Sequence, residues 1–176
     1  MTHPLTFIPG QLRKPLFWAA LILTLGLFAA FRVLNAPITT PAAPGGIVTF
    51  ELAGTVKKAV EIIRSWDAKA GLYAAFGLGL DYLFMPAYAL ALSLGILLAA
   101  GRHTGAWTKI GAWLGWGAFA AALFDAVENF ALLKLLIGSR MQFWPRLAYW
   151  SATVKFGLLL IGLGFALVAW LWPRKK

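Results

Sequence analysis

Asp81, Asp125 and Glu128 are acidic side chains set inside stretches that otherwise read as membrane-spanning, and Lys155 is a base inside a further stretch of the same kind. A charged side chain in the hydrocarbon region costs about 2.5–3.5 kcal/mol on insertion scales, so such residues face one another, a cavity or a ligand. Carboxyl groups held together can bind a cation or pass a proton, and a lysine beside them sets their charge. Asp125, Glu128 and Asn129 form an i, i+3, i+4 set on one side of a helix. By the same periodicity Gly77, Asp81, Phe84 and Tyr88 share a face, as do Ser151 and Lys155. At about 1.5 Å per residue, the four ionisable groups lie roughly 12–18 Å from the outer ends of their stretches, so they form one layer. The predicted site has Asp81, Asp125 and Glu128 as the groups that hold or protonate a ligand. Lys155 sets their charge, and Tyr82, Tyr88, Asn129 and Ser151 orient the ligand.

Three carboxylates against one lysine leave an excess negative charge that a low dielectric does not tolerate. A proton on one acid, a bound cation, or Lys134 bent inward would relieve it. No metal and no cofactor is expected. No histidine or cysteine lies in the layer, and a calcium cage wants more oxygen ligands than three carboxylates and Asn129 give. The absence of cysteine also removes a thiol nucleophile and a disulfide framework.

The elements that must position this layer are predicted to be transmembrane helices. With 61% hydrophobic and 12% charged residues and a mean hydropathy of +0.77, the chain exceeds what a soluble core requires. Its 176 residues allow four spans and one moderate loop, without a separate soluble domain. Apolar runs place the spans at about 16–34, 72–100, 110–137 and 147–172, within a single membrane domain. The fold class is an all-α integral membrane four-helix bundle with a long external loop, 35–71, carrying an amphipathic helix. The first run is read as a retained signal anchor, because Arg32 and the missing small-x-small site argue against cleavage near 36–44. Pro86 should kink the second span at about the level of the site.

The formal charge of +10 is spread beside hydrophobic ends instead of clustering on one face, which fits lipid headgroups and not nucleic acid. Arg102 and Lys109 in 101–109, with Arg174, Lys175 and Lys176, orient both termini to the cytoplasmic side of a bacterial inner membrane. Trp18, Trp107, Trp170 and Trp172 would then form one interfacial belt, and Trp66, Trp144 and Trp150 the other. In the long loop, alternation over Ile47 to Leu52 predicts a short extended segment. From the N-cap Thr55, apolar residues at Val56, Ala59, Ile63, Trp66 and Ala70 predict a helix lying on the bilayer surface or over the bundle mouth. Gly111-x-x-x-Gly115 is a spacing for close helix contact. His3 and His103 lie outside the spans.

The motifs Leu80-Asp81-Tyr82-Leu83-Phe84 with Tyr88, Asp125-Ala126-Val127-Glu128-Asn129, and Lys155-Phe156 resemble a group of small bacterial four-span proteins of unassigned activity, from about Phe50 to the end of the last span. In gross form the chain is also similar to the EXPERA class, which includes sterol isomerases and a sigma receptor and implies acids in a membrane cavity. The sterol isomerases' histidine has no counterpart in a span here.

These features predict a membrane-embedded binding protein or enzyme whose acidic pocket, in the outer half of the bundle, takes a membrane lipid or a cationic amphiphile. If it is an enzyme, a carboxyl general acid carries the chemistry. The rival is an ion- or proton-coupled permease, homo-oligomeric because four helices make a thin pathway, but the inner half offers it little besides Ser93. A third reading is an accessory subunit that meets partner membrane helices through Trp113 and Trp116. In a purely structural role, the polar layer would pin helix to helix.

Overall fold

The computed structural model describes residues 1–173, so Arg174, Lys175 and Lys176, which the sequence reading places on the cytoplasmic side, lie outside the described residues. The described residues are all-helical, in the order α1 (Gly10–Asn35), α2 (Ile47–Glu51), α3 (Val56–Arg64), α4 (Ala68–Ala100), α5 (Ala106–Leu136) and α6 (Phe143–Leu171). They contain no strand, only an isolated bridge between Thr40 and Ala43. Helices α1, α4, α5 and α6, of 26, 33, 31 and 29 residues, are each long and apolar enough to cross a membrane, the architecture of a multi-pass membrane protein.

Local chemistry sets the helix ends. The Asp67 carboxylate accepts from the Ala70 amide at 2.7 Å and caps the start of α4, so the chain breaks between α3 and α4. The single helix expected from Thr55 to Ala70 is therefore two helices, with the turn Ser65–Trp66 between them. Thr55 does cap α3, accepting from the Lys58 amide. Gly138, at φ 102°, ends α5, with the Ser139 amide bonded to the Lys134 carbonyl and the Gly138 amide to that of Leu135. The helix of α4 continues through Pro86.

The segment 47–52 is helical, not extended. Gly46 at φ 60° turns the chain, and the Asn35 side chain accepts from the Ile47 amide at 2.8 Å, which starts one turn of helix. Phe50 and Glu51 are buried on it, while Val48 and Leu52 of the supposed alternating face are exposed. Over so few residues, period 2 and period 3.6 cannot be told apart.

The chain divides into two compact units. Unit 2 comprises Gly26–Met85 and Phe124–Val154. Its core gathers Phe50, Ile62, Trp66, Leu78, Leu132 and Leu135. Ala59 and Ile62 of α3 are fully buried there, so the apolar face of α3 packs on protein. Trp66 belongs to this core and not to an interfacial belt: it is 8% exposed, and its indole donates to the Ile38 carbonyl at 2.8 Å. The Gln142 amide clasps the turn before α3, accepting from the Val56 amide and donating to the Gly54 carbonyl.

Unit 1 comprises Met1–Leu25, Pro86–Leu123 and Lys155–Lys176. Its helices approach over small residues, the way helices associate in lipid. A Cβ on Gly111 would overlap Ala100, and one on Gly162 would press on Leu92. Gly115 differs from the close-contact pattern expected of it, because it receives the ring of His3 and not a neighbouring helix. Residues 1–9 fold back onto the unit, with Leu5 buried, Arg13 donating to the Ile8 and Thr6 carbonyls, and the Trp116 indole donating to the Thr2 carbonyl. At the other turn Arg102 donates to the Trp170 carbonyl at 2.7 Å and His103 meets that of Ala169, so the α4–α5 connection caps the end of α6 with cationic and polar groups. All six acidic residues of the chain fall in unit 2, and unit 1 carries none.

Candidate functional site

Helix α5 carries one buried stripe along unit 2, in which Asp125, Glu128 and Asn129 lead into Leu132 and Leu135. The polar residues thus replace apolar ones on the face that packs inward. Asp125 and Asn129 are each 2% exposed and Glu128 is fully buried. This is the arrangement the i, i+3, i+4 spacing predicted.

Asn129 joins this stripe to α4. Its side-chain amide donates to the Asp81 carboxylate at 2.8 Å and to the Leu78 carbonyl at 3.2 Å, two acceptors that fix which end of the amide points there. Asp81 is half-buried and so stands at the margin of the buried stripe. Next to it Tyr82 is 50% exposed and donates to the Ala126 carbonyl at 3.4 Å, which puts its ring on the outside of the α4–α5 seam. Phe84, one turn on from Asp81, meets Phe31 of α1 edge to face at 5.3 Å between centroids.

On α6 the buried stripe Ala148, Ser151, Ala152, Lys155 repeats at i, i+3, i+4, i+7, and Ser151 is 3% exposed. Tyr88 and Lys155 belong to unit 1, where they are buried at 6% and 5% exposure, and the Lys155 ammonium lies 4.7 Å from the centroid of the Phe156 ring. The structure therefore joins Asp81 of α4 to Asn129 of α5, sets Asp125 and Glu128 on the same buried face of α5 as Asn129, and buries Ser151 within the same unit. Lys134 lies over the Phe130 ring at 5.1 Å. Among the described residues no group of three or more His, Asp or Glu side chains gathers closely enough to hold a metal ion.

Sequence reasoning passed over two buried polar residues. Glu51 on α2 is 8% exposed in unit 2, and a lone acid between Phe50 and Leu52 was its only sequence signal. His3 is 7% exposed against Gly115, and no periodicity marks a residue that precedes the first helix. Beside it the Ser93 hydroxyl donates to the Gly115 carbonyl at 3.1 Å.

No family model matches the chain, and no curated protein or solved structure does.

Proposed function

We propose that this protein binds an amphiphile with a cationic or polar headgroup at the acidic stripe of α5, within a bundle whose termini lie on the cytoplasmic side of a bacterial inner membrane and whose 35–71 loop is external. One observation carries the reading: Asp125 and Glu128 are buried on one helix face that Asn129 ties to Asp81 of the neighbouring helix. Pinning two helices together takes a single hydrogen bond, which averages only about 0.6 kcal/mol in a membrane. Three carboxyl groups are more than that task needs, and they supply the negative charge that a cationic headgroup pairs with. Ser151 and Asn129, in the same unit as the acids, would orient the headgroup, while Tyr82 would guard the seam. Any reaction at this site would be proton donation by one of the carboxyl groups.

The test is binding of dodecyltrimethylammonium, with neutral dodecyl maltoside as the control, read as a ligand-induced rise in thermal stability. Wild type is expected to respond to the cation alone. Asp125→Asn and Glu128→Gln should weaken the response about tenfold or more, as loss of a charged partner worth 1.5–3 kcal/mol would. Equal responses in wild type and both variants would overturn the reading.

One observation favours a second reading, a proton-coupled permease. His3 adds a titratable ring beside Ser93 in the unit that otherwise offers such a route little. Proton flux in proteoliposomes, abolished by Asp125→Asn, would select it over binding.

A further inference from the structure

His3 is the one histidine buried in unit 1, held there by shape more than by hydrogen bonds. Its ring occupies the notch left by the missing side chain of Gly115, where any Cβ would collide with it. Nδ1 accepts from the Leu5 amide at 3.2 Å, within its own turn. Nε2 is buried with no hydrogen bond of good geometry, although the Ser93 carbonyl is near enough to influence the ring. The contacts that remain, Leu5 in the interior, the Trp116 indole on the Thr2 carbonyl and Arg13 of α1 on the Thr6 and Ile8 carbonyls, attach a short segment of chain to the helices at few points.

A proton on this ring would have no counter-charge. Within unit 1, the titratable groups on the elements packed there are Tyr88 of α4, Lys109 of α5, Arg13 and Lys14 of α1 and the Met1 ammonium; the acids Asp81 of α4 and Asp125 and Glu128 of α5 belong to unit 2, ten or more residues along their helices from Ser93 and Gly115, and unit 1 has no acidic side chain. Arg13 acts on the ring directly and opposes a second positive charge. A buried ion without a partner is expelled or neutralised.

We propose that residues 2–8 form a latch that docks on unit 1 while His3 is neutral and is expelled when His3 takes up a proton. Burial is the main cause holding the docked imidazole down at about 4, with Arg13 adding to it and the Ser93 carbonyl working against both. A free histidine titrates near 6.5. The undocked segment therefore binds the proton first. Docking is at full strength above pH 6.5, weakens as pH falls toward 4, and loses nothing further below that. Linkage between these two values makes docking about 70-fold weaker at pH 4.5 than at pH 7.5. Release uncovers the Gly115 notch and the Ser93 hydroxyl between α4 and α5.

The chain has no cysteine, so nitroxide labels on Phe7→Cys and Trp113→Cys, both exposed in unit 1, report one distance on the full protein in phosphatidylcholine nanodiscs. The expected result is a narrow distribution at pH 7.5 that broadens at pH 4.5 in the wild-type background and shows no pH dependence with His3→Phe. Gly115→Val, which fills the notch, should give the broad distribution already at pH 7.5 with helix content by circular dichroism unchanged. If Gly115→Val lowers helix content, the His3→Phe comparison alone decides. A wild-type distribution that is the same at both pH values, or broadening that survives His3→Phe, would overturn the latch.

Discussion

Asn129 is the side chain on which the candidate site turns, because it spans from α5 to a carboxylate and a main-chain carbonyl of α4 at once. Replacing it by leucine keeps the volume and removes both donors, leaving Asp81 and the Leu78 carbonyl to find other partners. Asn129→Leu should lower stability by about 1–3 kcal/mol, measured by unfolding in mixed detergent. Asn129→Asp should cost more, because it sets a second carboxyl group where the Asp81 carboxylate had a donor; equal losses would mean the hydrogen bond contributes little. Residues of this kind were legible in the sequence, since a polar side chain at helical spacing inside an apolar run has few places to go. Glu51 and His3 were not. Each is buried by chain that folds back from outside a long helix, and no local pattern encodes that return.

At the level of elements, the long helices could be read from apolar length, while the short ones depended on contacts the sequence does not display. α2 forms because Asn35, distant in sequence, accepts its first amide, and α3 ends because Asp67 caps the next helix. Asn35→Ala should therefore loosen 45–51 and cost about 1 kcal/mol, seen as faster hydrogen exchange at the Ile47 amide with the α6 amides unchanged. Glycine spacing was legible as close approach but not as to partner. Gly111 meets a neighbouring helix through Ala100, whereas Gly115 accommodates a ring from the segment before α1. Gly111→Val should destabilise by about 1–3 kcal/mol through overpacking, and Gly26→Val, beside open space, should change stability little in the same assay.

For the whole molecule, the gathering of every acidic side chain into one unit gives the chain a chemical polarity that its net charge conceals. With the proposed orientation, a thiol at Thr104→Cys should react only with reagent admitted to the cytoplasmic side of vesicles, and one at Thr39→Cys only from outside; the reverse pattern would invert the topology. Composition made the membrane class plain, but the partition of charge became visible only once the chain was folded. Helix α1 raises a different matter, for it buries only Leu27. At about 1.5 Å per residue its 26 residues are longer than a hydrocarbon layer of about 30 Å, so its tilt is left mainly to the surrounding acyl chains. A change in bilayer thickness should then act on α1 first: lipids with shorter tails should lean that helix over while α4, more enclosed by protein, keeps its angle.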